Sequence, residues 1–267
     1  MTKTQKKSIA GVFKNIYIYL VFLFLYLPIF YVIIFSFNTS KLNITFESFT
    51  LQWYGTFFKN RTLMEALTNT LIIGVLSTVI STIIGTIGAI GLSKYNFKGK
   101  QLIDKLLYIP IVIPEIVLGV ALLSIYSVLS IPLGLISITL SHITFSIPFV
   151  VITVRARLAG FDKFLEEAAM DLGANRIVTF WRVTLPIILP GVLSGAMLAF
   201  SLSIDDVVIS FFTSGPGSTT LPLKIFSMVK TGVTPEVNAL STVIMLATII
   251  IIVINTTFQV KKLKAKA

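Results

Sequence analysis

The chain has 267 residues, 55% of them hydrophobic and only 12% charged, too apolar for a soluble domain of this length and expected of an integral membrane protein. It has no cysteine, which excludes disulfides and Cys-ligated metals, and a single histidine, His142, which leaves His-rich metal sites and Ser/His/Asp enzyme constellations without material. The net charge of +11 lies beside apolar runs, where lysines orient a chain against the membrane surface rather than bind nucleic acid.

A membrane-spanning helix needs about 20 apolar residues. The first such stretch, Asn15 to Ser40, is too long for a secretory signal and lacks a small-residue cleavage site, so it reads as a retained helix over 15–38. Ala66 to Ser93 gives a second helix, 68–93, in which Gly85, Gly88 and Gly91 recur at helical spacing and point to close helix packing. Their spacing is not GxGxxG, and no GxxxxGK[ST] loop for ATP phosphates occurs anywhere in the chain. Between Leu106 and Val154 the only charge is Glu115, and at about 1.5 Å per residue this run makes roughly 73 Å of helix. That is enough for two crossings, 106–130 and 133–154, with Pro132, Leu133 and Gly134 as the turn. Val183 to Ile204 gives a fifth helix, 186–205, and Asn238 to Val260 a sixth, 239–260. The expectation is therefore an all-α membrane protein with six transmembrane helices in a single domain over 1–267, and a polar insert, 162–185, between the fourth and fifth. Of the 22 lysines and arginines, 17 fall on the side that carries both termini and the insert, which the positive-inside rule makes cytoplasmic.

Within the insert Phe164, Leu165, Ala168, Ala169 and Leu172 recur at spacings of three and four, which predicts a short amphipathic helix over 162–172 with small residues on its contact face. Gly173 can end it in a left-handed conformation, and Asn175 can cap a second helix that runs through Arg182 and carries Phe180 and Trp181. Pro186 would start the next span. A helix pair standing off the membrane, with alanines for close approach and aromatic anchors, is suited to docking a partner.

An ionisable group inside a membrane helix is costly and usually faces a pore or a partner. Glu115 falls about nine residues, or roughly 14 Å, into the third helix and follows two helix-kinking prolines, Pro110 and Pro114. His142 falls at a similar depth on the fourth helix, so a contact between the two is open, as is a Glu115 satisfied by local backbone and a His142 that only packs. Asp205 and Asp206 end the fifth helix about 27 Å from its inner end. Consecutive helical residues point about 100° apart, so both need not face a lumen. An acidic pair at the mouth with one acid midway would receive a multivalent cation in steps without trapping it. The alternative for the pair is a solvated loop or a cap on the following segment.

The stretch EAAMDLGANRIVTFWRVTLP, Glu167 to Pro186, resembles the EAA signature of bacterial ABC importer permeases: EAA, three residues, Gly, nine residues, Ile, one residue, Leu-Pro. Glu167, Ala168, Ala169, Gly173, Leu185 and Pro186 match at the family spacing, and Val183 stands for the isoleucine. The resemblance implies the type I ABC importer permease fold, with the two short helices seated in a groove of a cytoplasmic ATPase and Glu167 making polar contacts there. Ser141–Asp162, Ser203–Val208 (SIDDVV) and Leu221–Leu240 are in addition similar to the spermidine/putrescine permeases of that family. By that resemblance the path residues are Glu115 (an aspartate in the family), Asp205, Asp206, Ser203 beside them, and Trp53, whose indole face can receive an ammonium or methylene segment. Trp53 also fits an interfacial belt position. A further family acid falls at Arg176 here, so its role does not carry over.

The resemblance further implies a subunit that is not itself an enzyme, binds no cofactor, and works with a second homologous permease, an ATPase homodimer that binds ATP and magnesium, an extracytoplasmic substrate-binding protein, membrane lipid and the polyamine. Two alternatives stay open: a permease of the same family for a phosphonate or ferric ion, and a self-contained secondary carrier. The latter would need no EAA insert and often shows inverted repeats, which do not appear here.

Overall fold

The structure, a computed structural model, describes residues 9–40, 44–162, 164–232, 234–246 and 249–250. Their regular elements are all helices, apart from one isolated antiparallel bridge, Asn38 to Phe49. The chain divides into two units, Met1–Arg61 with Ser227–Ala267, and Thr62–Phe226.

In the first unit α1, Ile9–Phe35, contains the apolar span Lys14–Phe35, none of which is buried within the chain. An apolar helix with every face uncovered has lipid or another subunit as its surroundings. After it the backbone folds back on Asn38. The Asn38 side chain donates to the Thr45 carbonyl at 2.7 Å and accepts from the Glu47 N–H at 2.9 Å. Phe37 stacks on Phe49 with ring centroids 5.1 Å apart, and the Ser36 hydroxyl lies 2.7 Å from that of Tyr54. Sequence periodicity gives no helix between the first two spans, but α2, Gln52–Lys59, lies there. Residues 235–246 are helical; the remainder of the expected sixth helix, 239–260, lies largely outside the described residues.

The second unit takes in all but the first residue of α3, Arg61–Lys94, whose 34 residues reach about 50 Å and start earlier than the expected 68–93. The expected single helix over 106–130 is two, α4 (Lys100–Val112) and α5 (Glu115–Val128), bent by 112°. Pro114 causes the break: it has no N–H to continue the ladder and forces Ile113 out of the helical region, to φ −69°, ψ 135°. α6, Leu135–Leu158, is the most buried span and packs along α9, Leu185–Asp205. The short helix α10, Val208–Thr213, packs on α5 and α6, and α11 is Leu221–Thr231. Among the described residues four helices are long and apolar enough to cross a membrane, or five with the bent α4–α5 pair counted as one span.

Small residues set the helix spacing. A Cβ on Gly85 of α3 would lie 2.7 Å from Val150 of α6, and one on Gly195 of α9 would lie 3.3 Å from the same residue's Cα. Gly88 faces Val151 at an ordinary 3.7 Å, and Gly91 faces open space, so two of the three glycines singled out by spacing lie against α6. Around Val150, Val151 and Val154 gather Ala89, Leu92, Leu158, Ile188 and Ala199, a core shared by α3, α6 and α9. A second cluster, Leu122, Tyr126, Phe145 and Ile209, joins α5, α6 and α10.

Candidate functional site

Two groups of polar residues stand at opposite ends of α9. At its start lies the insert. α7, Phe164–Asp171, opens with the Asp162 carboxylate accepting from the Phe164 N–H at 3.0 Å. It closes on Gly173 at φ +89°, with the Gly173 N–H on the Met170 carbonyl at 2.9 Å and the Ala174 N–H on the Ala169 carbonyl at 3.1 Å. This pair of bonds is the Schellman ending that a left-handed glycine permits. The Asn175 side chain accepts from the Val178 N–H at 2.9 Å and caps α8, Arg176–Thr179. The second insert helix does not stop at Arg182. The chain stays helical from Arg176 to Asp205, widened into a π-turn at Phe180–Thr184, where the Leu185 N–H bonds the Phe180 carbonyl. Pro186, with no N–H for the carbonyl four residues back, sits directly after this wider turn, at the start of α9.

The two adjacent glutamates of α7 differ. Glu166 turns toward the helices, where its Oε1 accepts from both the Lys94 ammonium at the end of α3 and the Thr184 hydroxyl in the π-turn. The same Lys94 nitrogen lies 5.7 Å from the centre of the Phe161 ring. Partial burial pushes the Glu166 carboxyl up, but the hydrogen bonds from Lys94 and Thr184 and the Lys94 charge outweigh it and hold the carboxyl below its usual range. Glu167 and Ala168 are exposed, Ala169 is half-buried, and Phe164, Leu172, Ile177 and Trp181 stand in the open, so the insert presents an apolar surface with no cover in this chain. Leu185 is half-buried and Pro186 exposed.

At the far end α9 finishes on Asp205, which is exposed. Asp206, extended at φ −65°, ψ 128°, turns its side chain inward to 5% exposure. Its carboxylate accepts from the Ile209 N–H at 3.1 Å and the Ser210 N–H at 2.7 Å, capping α10, and lies 3.3 Å from His142 Nε2. His142, fully buried on α6, also has Nε2 3.2 Å from the Ser210 hydroxyl and Nδ1 2.6 Å from that of Ser203. Ser203 in turn accepts from Ser77 of α3 at 3.1 Å. One buried chain of side chains thus joins α3, α9, α6 and α10.

The contact left open in the sequence between Glu115 and His142 is not made: the histidine is engaged with Asp206, Ser203 and Ser210. Glu115 instead opens α5 immediately after the break, exposed, at the helix end whose unpaired N–H groups favour a negative charge. One turn further on, Gly119 lets α5 approach α10, where an added Cβ would meet the Phe212 ring at 2.6 Å. Trp53, half-buried on α2, donates its indole N–H to the Asn38 carbonyl at 2.7 Å, which fixes the ring in the folded segment after α1. Ser203 and Asp206 are therefore brought together, while Asp205 and Glu115 face outward. Sequence reasoning missed Ser77, Ser210, Lys94, Glu166 and Thr184; only the Asp-before-helix pattern that makes Asp206 a cap for α10 carried a local signal.

Residues 81–261 match the family described as the binding-protein-dependent transport system inner membrane component. The chain is 41% identical over 242 residues to the spermidine/putrescine transport system permease protein PotC of Haemophilus influenzae, covering 91% of this chain and 94% of that one. It is 42% identical to PotC of Escherichia coli K12 over 87% and 88% of the two chains, and 39% identical to the putrescine transport system permease protein PotI of the same organism over 84% and 82%. Among solved structures it superimposes on a chain of a bacterial ABC transporter that imports alginate, with a TM-score of 0.71 and 16% identity over 97% and 98% of the chains. A chain of the inward-facing MetNI methionine ABC transporter gives a TM-score of 0.58 at 19% identity, over 78% and 95%. With its fold that of ABC importer permeases and its sequence alike over nine-tenths of its length, the chain belongs to the binding-protein-dependent transport system inner membrane components, the multi-pass permease subunits of ABC importers.

Proposed function

We propose that this permease carries polyamines, spermidine or putrescine, across the bacterial inner membrane by alternating access driven by a separate ATPase. The observation that carries this reading is the 41–42% identity, over about nine-tenths of the chain, to permeases named for those two substrates. The partners are a second homologous permease of the PotB type, an ATPase homodimer of the PotA type and an extracytoplasmic binding protein of the PotD type. Both termini and the insert lie on the cytoplasmic side, as the lysine and arginine distribution favours.

In this reading Glu167, Ala168, Ala169, Gly173, Leu185 and Pro186 form or support the surface that seats on the ATPase. The exposed Phe164, Leu172, Ile177 and Trp181 supply its apolar area, and the continuous helix from Arg176 to Asp205 carries its movement along α9. The substrate path takes Glu115, Asp205 and Asp206 as acids, Ser203 as their buried neighbour and Trp53 as an aromatic face whose orientation the Asn38 bond fixes. In the conformation described here Asp205 and Glu115 are the acids open to an arriving cation, and Asp206 is engaged within the chain.

The test is radiolabelled spermidine uptake by cells carrying the full set of partners, with ATPase association checked by pull-down. Saturable uptake that requires this subunit is the expected result. An assembled complex that takes up neither spermidine nor putrescine overturns the polyamine reading and directs attention to another cargo of the same family.

A further inference from the structure

We propose that His142 is the resident counter-group of Asp206, holding the carboxylate while the substrate is absent and yielding it to a substrate ammonium group. The inference rests on the reading that Asp206 belongs to the cation path. An ionised carboxylate only accepts hydrogen bonds, so the contact from His142 requires the proton on Nε2. A neutral ring then has Nδ1 as an acceptor, which takes the Ser203 O–H, and the Ser203 oxygen accepts from Ser77. With this tautomer, assigned from the network, every donor points the same way, from Ser77 through Ser203 and His142 to Asp206.

The donors that α10 itself offers Asp206 are two backbone N–H groups, fixed by the helix they open, and the Ser210 hydroxyl. His142 comes from a different helix and stands further off than the backbone donors, 3.3 Å against 2.7 and 3.1 Å. It is the one donor that a separation of α10 from α6 removes without unwinding α10. It also has somewhere to go, since Ser210 Oγ lies 3.2 Å from the same nitrogen. Among the described residues no lysine or arginine pairs with Asp205 or Asp206, so the ring is the side-chain competitor from outside α10 that a cation meets there. A buried donor held in this way weakens binding and speeds release, which a transport path needs more than affinity. His142 thus acts through Asp206, as a positioning residue.

The experiment measures KM and Vmax for spermidine uptake by the assembled transporter in wild type, His142→Gln, His142→Met, Asp206→Asn and the His142→Met/Asp206→Asn double variant. Methionine fills the space without a donor; glutamine keeps an amide N–H that reaches Asp206. His142→Met is expected to lower KM at least threefold and to lower Vmax, with His142→Gln near wild type and Asp206→Asn raising KM. In the double variant the effect of His142→Met on KM is expected to vanish. A KM that is unchanged or raised in His142→Met, or a lowered KM that persists without the Asp206 carboxylate, overturns the proposal. Asp206→Asn with unaltered uptake instead sinks the placement of Asp206 in the path, so the two failures are distinct. Should His142→Met not assemble, His142→Asn, whose amide falls short of Asp206, takes its place, with the same expected fall in KM and the same overturning result.

Discussion

The insert and the far end of α9 each present two consecutive acids, and in each pair one acid is held by other helices while its neighbour faces out. Glu166 is engaged and Glu167 exposed; Asp206 is engaged and Asp205 exposed. The geometric causes differ: Glu166 and Glu167 are consecutive helical residues whose side chains diverge by about 100°, whereas α9 stops at Asp205 and the extended backbone of Asp206 turns its side chain inward. A second difference lies in what holds the inward acid. Glu166 meets a lysine, which cancels its charge and ties α7 to α3 and to the π-turn. Asp206 meets a histidine and two backbone N–H groups, and among the described residues no permanent cation offsets the pair. A fixed ion pair suits a joint that transmits force, and an acid pair with no fixed cation suits a place where a mobile cation must be received.

The largest effect should come from reversing a charge on the outward acids. Asp205→Lys is expected to lower polyamine uptake more than tenfold with the complex still assembled, because a fixed ammonium would occupy the place of the cargo. Normal uptake would remove the outer pair from the path and break the comparison at that end. Glu167→Lys should lower ATPase recovery in a pull-down by a similar factor and leave the membrane fold intact; full recovery would count against the insert as the docking surface.

The inward glutamate predicts a different phenotype from its neighbour. Glu166→Gln keeps an oxygen for Thr184 but removes the ion pair, so ATPase binding should persist while uptake per ATP hydrolysed falls about three- to tenfold. The exchange Lys94→Glu with Glu166→Lys should restore much of that ratio; a wild-type ratio in Glu166→Gln alone would make the pair ornamental to coupling. Acidification sharpens the same point. A carboxyl whose native pKa is depressed contributes stability above its unfolded value, and loses it as pH falls through the native value. Protease resistance of the insert, followed from pH 7 down through about pH 4 and below, should therefore drop late in wild type, and Glu166→Gln should lack that step.

What the sequence made legible was local. Gly173 as a left-handed stop and Asn175 as a cap follow from residues within a turn of each other, and the structure places them as those signals imply; the apolar runs mark where long helices lie but not their bounds, since α3 starts earlier and 106–130 is two helices. Pro110 and Pro114 announce a kink, but not a 112° break that makes Glu115 the first residue of a new helix. The networks are another matter. Ser77 and Ser203 are 126 residues apart, His142 and Ser203 61 apart, and Lys94 and Glu166 72 apart, so no spacing rule could pair them. The cap on α10 was one of two open alternatives for Asp205 and Asp206, and the structure gives it to Asp206 alone.

The smallest predicted effect tests what connects the two ends. α3 carries Lys94 at one end and Ser77 at its middle, and it lies against α6 through Gly85, whose added Cβ would fall 2.7 Å from Val150. Two opposing terms act on Gly85→Ala: alanine favours the helix by up to about 1 kcal/mol, and forcing a methyl into a filled contact costs about 1–3 kcal/mol. A distance of 2.7 Å to a branched side chain, with the Ile147 carbonyl also within 3.3 Å, leaves the methyl no room, so the packing term wins. Gly91, six residues on, has nothing within 4 Å, and there only the helix term operates. Gly85→Ala should therefore lower the Tm of the assembled transporter by a few degrees and reduce uptake per ATP without affecting either acid pair, while Gly91→Ala leaves both unchanged or slightly raises the Tm. Equal behaviour of the two variants would mean that the ends communicate through α9 alone.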